Sequence, residues 1–402
     1  MRAVLLCIAV AGCAPADPSD DPADYDVDAT VDYELEVSPL TWVVPSIGLP
    51  ARDLSIRASN NNLDIELFDG RRFLAWRTNV NHWASDTVQL HVVSSADEGT
   101  TWDFEETIAI GADIREPRFI ALNGRLFLYY FEGGTNFAAF EPRKIWRTER
   151  LGLHDWTSPA IHSERKEVLW DTKVRGGVAW MGSYIGNHYL AGQSNIDVFL
   201  KKSTDGITWT DLDPAKPALY TGGVSEIAYE WDEGGDLWLV TRNEDGDAHG
   251  FGSQICSAPK SAQSDWACPD AEPDRYDSPK MIRHGDDLYV IARRDLDGHY
   301  DEKSDKPFEE ARRQYQLDYW ERAKRTAIYK VDKAAKKLVH LVDLPSAGDT
   351  AYAAVRRLDA HSFLIANYTS PIDHDLDRSW VDGQSSTDGT QIYFLTLRFV
   401  SP

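Results

Sequence analysis

The 402-residue chain is poor in cysteine, with 4, and in basic residues, with 42 Lys and Arg against 65 Asp and Glu. Its formal net charge of −23 is hostile to nucleic acid, whose phosphates need clustered cations. Beyond about the first dozen residues there is no long apolar run, so no later segment can span a membrane as a helix, which takes about 20 apolar residues. Cys256 and Cys268 have no nearby His partner, which argues against a metal site. In an oxidising compartment this isolated pair is expected to form a disulfide across a short loop. No cofactor is expected.

An export signal is expected at the N-terminus. Met1-Arg2 precedes the apolar run Ala3 to Val10, and Val10-Ala11-Gly12-Cys13 resembles the lipobox of bacterial lipoproteins. That resemblance implies that residues 1–12 are removed and that Cys13 is lipidated. The protein is then exported to the outer membrane or cell surface and held by its lipid alone; an ordinary secretory signal cut near Ala14 or Ala16 is the alternative. Ala14 to Val37 holds nine Asp or Glu and no Lys or Arg, a self-repelling composition that predicts an extended tether over residues 13–37. Residues 38–402 then form one domain, expected to be monomeric.

What the chain does have is a repeated turn. Ser95-Ala96-Asp97-Glu98-Gly99-Thr100-Thr101-Trp102 returns, one residue shorter, as Ser203-Thr204-Asp205-Gly206-Ile207-Thr208-Trp209. The Asp can accept hydrogen bonds from turn amides, Gly supplies positive φ, and Trp closes over the hairpin base. Trp156 and Trp266 continue the series at roughly 55 residues, a propeller-blade period.

Six segments also fit one pattern of a polar start, an apolar run, a tight turn and a second apolar run. They are Asn60 to Arg77, Arg115 to Phe131, Arg175 to Ala191 turning at Gly186-Asn187, Glu226 to Arg242, Asp277 to Arg293, and Tyr352 to Asn367. The prediction is an all-β, six-bladed propeller of four-stranded antiparallel blades. A strand near Tyr33 to Val44 should pair with Gln391 to Val400 and close the ring. Between Asp305 and Arg325, Phe308, Ala311, Tyr315 and Tyr319 fall at helical spacing after Pro307, which predicts a helix inserted in blade five.

Polar strand starts should converge at the propeller axis. This places Asn60 to Asn62, Arg115, Glu116, Arg118, Lys173, Arg175, Glu226, Asp277, Lys280 and Tyr352 in one pocket, whose cations suit an anion such as a carboxylated sugar.

The repeated turn resembles the aspartate box of sialidases, and the chain is similar to that family over most of residues 50–400. The resemblance implies particular roles. Ser225-Glu226, followed by a strand, a Gly turn and Arg242, looks like the blade-four pattern in which Glu partners the nucleophile and Arg grips the substrate carboxylate. Ala351-Tyr352-Ala353 resembles the segment bearing the catalytic Tyr, Arg325 is similar in place to a further carboxylate-binding Arg, and Asp86 resembles the acid/base Asp in position. A neutral Tyr suits a substrate whose anomeric carbon bears a carboxylate, because an anionic nucleophile would be repelled. Guanidinium groups bind that carboxylate in bidentate fashion.

One departure is plain. Sialidases open blade one with Arg-Ile-Pro, whose Arg belongs to the carboxylate-binding triad, and here Asn60-Asn61-Asn62-Leu63 stands there. Either Arg115 or Arg118 supplies the cation, or the substrate is another acidic sugar. The expectation is a surface-anchored exo-glycosidase for terminal acidic sugars. The alternatives are a glycan- or partner-binding propeller without catalysis, or a glycosidase or lyase for uronic acids using Asp64, Glu116 and Asp277.

Overall fold

A computed structural model describes residues 27–137, 139–186, 195–302 and 305–402. Cys13, the signal segment and the tether up to residue 26 lie outside them. Six antiparallel sheets follow one another along the chain. Blade one runs Ser59–Phe68, Arg71–Asn79, Gln89–Ser95, Asp103–Ile108, with each strand paired to the next. Blade five repeats this order, and blades two and three each divide their outermost strand into two short pieces. The all-β, six-bladed fold expected from the repeats is the observed one.

Closure occurs in blade six, where Glu34–Val37 and Thr41–Val44 both pair with Gln391–Val400. Joining chain start to chain end in one sheet removes the open edge at which a ring of blades would separate. Because Glu34–Val37 is a paired strand, the ordered domain begins before residue 38.

The repeated turns link the third and fourth strands of their blades. Asp97 Oδ1 accepts from Thr101 N at 2.8 Å, and Asp205 Oδ1 accepts from Thr208 N at 2.7 Å. Amide donation holds Asp97 down to about 2 and lowers Asp205 likewise. Each Trp then reaches the preceding blade. The Trp102 ring meets Phe394 edge-on at 5.9 Å, Trp156 Nε1 donates to Glu105 at 3.2 Å, and Trp209 Nε1 donates to Tyr129 Oη at 3.1 Å. The turn therefore works as a clasp between blades.

Blade four has three strands, Val224–Trp231, Leu237–Asn243 and Ile255–Ala258, with Ala267 bridging Ser257 on the outside. Beside that bridge Cys256 and Cys268 form a disulfide with Cα atoms 4.2 Å apart. Reduction is expected to cost roughly 2 to 3 kcal/mol in the chain-entropy model while leaving the other blades intact. Urea midpoints with and without reductant check this; an unchanged midpoint contradicts it.

The helix Phe308–Glu321 interrupts blade five, burying Ala311, Tyr315 and Tyr319 against Tyr300 and Trp380. Blade three corrects the sequence reading. Its inner strand is Glu167–Arg175 and its turn is Gly176-Gly177, so Arg175 ends that strand instead of starting it. Of the expected turn Gly186-Asn187, residue 187 lies outside the described residues.

Candidate active site

The inner strands start at one end of the axis, and five of the six bulge there. Register shifts occur between Asn61 and Leu63, Arg115 and Arg118, Leu169 and Asp171, Val224 and Ile227, and Asp277 and Lys280. Asn62, Glu116, Ser278 and Ala351 have φ of 41°, 54°, 52° and 67°, a region that L-residues enter at a cost. Such bulges re-aim side chains and gather beside active sites.

Tyr352 is buried at this centre, its ring edge-on to Trp170 at 5.0 Å and 4.2 Å from the Arg118 guanidinium carbon. Its hydroxyl faces Glu116, yet Tyr352 Oη and Glu116 Oε2 have no well-formed hydrogen bond. Asn62 Nδ2 donates to the other Glu116 oxygen at 3.1 Å. Burial raises the phenol well above its ordinary range, against the pull of Arg118. Burial likewise lifts Glu116, with Arg118 opposing.

Glu226 opens blade four as expected, but no hydrogen bond joins it to Tyr352. Its oxygens accept from Arg242 and from Ser278 N at 3.1 Å. Arg242 also meets Glu244 at 2.8 Å and Asp277 at 3.0 Å, so three carboxylates share one guanidinium. Burial pushes Glu226 up to about 8; Arg242 opposes this while Asp277, Glu116 and Glu244 add to it.

The other expected residues divide by depth. Arg115 lies at the rim, donating to Asp113 at 2.5 Å and to the His82 carbonyl at 3.2 Å. Arg118 lies beneath Tyr352, donating to the Trp170 and Leu63 carbonyls. Arg175 is at the opposite end of the axis, bonded to Glu230 at 2.6 Å. Lys173 is also at that end, 3.3 Å from Glu230, and Lys280 is midway, bonded to Asp171. Asn60 ties the first inner strand to Thr390 at 3.2 Å. Arg325 is not brought to Tyr352: it bonds the Leu376 carbonyl at 2.6 Å and Asp377 at 3.4 Å. Asp86 is exposed on its loop.

Sequence reasoning missed four groups here. Arg293, on the second strand of blade five, donates to the Thr350 and Ala351 carbonyls, Ser278 Oγ and Tyr319 Oη at 2.7 to 3.2 Å. Its guanidinium carbon lies 4.5 Å from the Trp380 ring centre. Arg77, Arg115, Arg118 and Arg242 each have a carboxylate oxygen within 4.0 Å. Arg293 has none among the described residues. The other missed groups are Glu244, His82 and Asp349, the last two joined at 2.7 Å. Among the described residues no three His, Cys, Asp or Glu side chains are arranged to hold a metal ion.

Together the fold and this pocket define a six-bladed β-propeller with a tyrosine and a carboxylate facing each other at the axis. In structure the chain is similar to a Dyadobacter fermentans protein of unknown function, with TM-score 0.56 and 13% identity over 91% of this chain and 99% of that one. It is also similar to Trypanosoma rangeli sialidase, with TM-score 0.50 and 12% identity over 85% of this chain and 55% of that one. The same sialidase bound to the inhibitor DANA gives matching values. This chain thus spans about half the length of the sialidase, and identity this low establishes the fold alone. No protein-family model matches the chain, and no curated protein matches it in sequence.

Proposed function

We propose that the protein is a glycoside hydrolase that removes terminal acidic sugars with net retention, using Tyr352 as nucleophile and Glu116 as its base. The observation that carries this reading is the pair itself, a buried phenol held against a buried carboxylate without a well-formed hydrogen bond. A phenol so far above its ordinary range attacks only if its proton leaves as the new bond forms, and Glu116 is the acceptor it faces. Arg293, lacking a carboxylate partner and with one Nη1 hydrogen left after its four bonds, attracts the carboxylate of the sugar by its charge and helps orient the ring. Sialic and uronic acids both carry that group.

Anchorage at the bacterial surface through Cys13 belongs to the same proposal and places the pocket among extracellular glycans. A second reading is favoured by the saturation of Arg242 by three carboxylates, which suits a propeller that binds an acidic glycan without cleaving it.

The test offers the full chain 4-methylumbelliferyl glycosides of N-acetylneuraminic and glucuronic acids, alongside the neutral galactoside. Release from an acidic substrate alone is expected. Calorimetric binding of the free acids without any release supports the second reading.

A further inference from the structure

The loop after the second strand of blade one was expected to deliver an acid through Asp86. The same loop also carries a histidine. His82 is anchored on three sides: its amide donates to the Gln384 carbonyl at 3.1 Å, its carbonyl accepts from Arg115 at 3.2 Å, and its Nδ1 meets Asp349 Oδ2 at 2.7 Å. Nε2 has no partner among the described residues and is not sealed from solvent. An imidazole with one nitrogen held by a carboxylate and the other open is arranged for proton transfer.

Asp349 is itself fixed. Its other oxygen accepts from Tyr368 Oη at 3.0 Å, and its amide donates to Ser370 Oγ at 3.0 Å. The helix Trp380–Ser385 packs so closely that a Cβ on Gly383 would lie 2.2 Å from Asp349 N. Asn61 Nδ2 lies 3.3 Å from His82 Nδ1, and the next residue, Asn62, donates to Glu116 at 3.1 Å, so His82 borders the same pocket as the Tyr352–Glu116 pair.

We propose that His82, oriented by Asp349, is the proton donor to the leaving group and then the base for water. This rests on the reading of Tyr352 as nucleophile. In the first step the Tyr352 proton passes to Glu116 and the phenol oxygen bonds to the anomeric carbon. The glycosidic C–O bond breaks with its electron pair on the leaving oxygen, which takes the Nε2 proton of the His82 imidazolium. In the second step neutral His82 takes a proton from water, whose oxygen bonds to the anomeric carbon. The Tyr352–carbon bond then breaks, its electron pair staying on the phenol oxygen, which regains its proton from Glu116. The sum is hydrolysis, with every group restored.

The pH profile follows from the groups facing each partner. Around His82 these are Asp349, Arg115, Arg77 and Asn61; burial holds the imidazole below its ordinary range, with Asp349 opposing. Glu116 is raised by burial, against Arg118 and Arg115. Turnover needs Glu116 ionised and His82 protonated, so it rises with pH as Glu116 ionises and falls as His82 loses its proton. Both shifts narrow the bell and place its optimum on the acid side of neutrality.

The experiment compares 4-methylumbelliferyl and methyl glycosides of N-acetylneuraminic and glucuronic acids on the full chain. A methoxide leaving group needs a donated proton far more than an aryl one. His82→Gln is expected to cut kcat/KM on the cleaved methyl glycoside by about 10²- to 10⁴-fold and to erase the basic limb of that profile. On the aryl glycoside kcat/KM is spared, and the loss falls on kcat through the shared second step. Asp349→Asn should move the same way, less far. Equal losses of kcat/KM on both leaving groups, or no basic limb in the unaltered chain's methyl-glycoside profile, overturn the assignment. If the leaving-group split appears but Tyr352→Phe keeps its turnover, the nucleophile reading falls and His82 stands. If the unaltered chain cleaves none of the four, both fall.

Discussion

Tyr352→Phe is expected to lower kcat on the cleaved aryl glycoside on the order of 10⁴-fold or more, the scale seen when a nucleophile is removed. Stability should hardly move. Deleting a hydroxyl from a good hydrogen bond costs about 1 kcal/mol, but Tyr352 Oη is buried without one, and removing an unsatisfied polar group is neutral or mildly stabilising. Packing against Trp170 and Arg118 uses the ring, which Phe retains. Single-turnover kinetics and thermal melting read the two effects separately. Lost activity with an unchanged or higher melting temperature is the expected pair, and retained turnover would make Tyr352 a packing residue.

Arg242→Leu should instead act on the fold. It leaves Glu226, Glu244 and Asp277 buried without their shared cation, and breaking a buried pair from one side costs about 3 to 5 kcal/mol. The cost depends on pH. Glu226 in the folded chain already keeps its proton up to about 8, whereas an unfolded carboxyl loses its proton near 4.3. The native state therefore binds more protons across that window, and stability falls as pH rises through it. Removing the arginine takes away the cation that opposes the rise of Glu226, so the variant should lose more at pH 8 than at pH 5. Urea midpoints at both values decide it, and an equal loss at both would show that packing dominates.

The architecture was legible because each blade repeats its own turn chemistry. Asp97 and Asp205 announce hairpins through short-range bonds that need no tertiary context, and the Gly-containing turns mark the inner hairpins. Blade three was misread for a physical reason. Its inner strand opens on a single polar residue, Glu167, followed at once by the buried Val168, Leu169 and Trp170, so the pattern of a polar start before an apolar run fits better at Arg175.

The site was half legible. Tyr352, Glu226, Arg242, Asn62 and Asp277 lie where strand starts and ends place them. Arg293 could have been found by the same logic as Arg242, since three of the six segments end on arginine, at 77, 242 and 293. His82 and Asp349 could not. Their pairing joins loops 267 residues apart, and loop backbone follows no period from which direction can be read. Arg325 was misplaced because its strand was judged by its start, while its guanidinium turns to the Leu376 carbonyl and Asp377.

The central claim is a covalent bond from Tyr352 to sugar. Incubating the full chain with fluorinated sialosyl and glucuronosyl fluorides, which slow the second step more than the first, and mapping peptides by mass tests it directly. One sugar on the peptide carrying Tyr352 is the predicted result. An adduct on Glu116 or Glu226, or cleavage of aryl glycosides with no adduct at all, would contradict it.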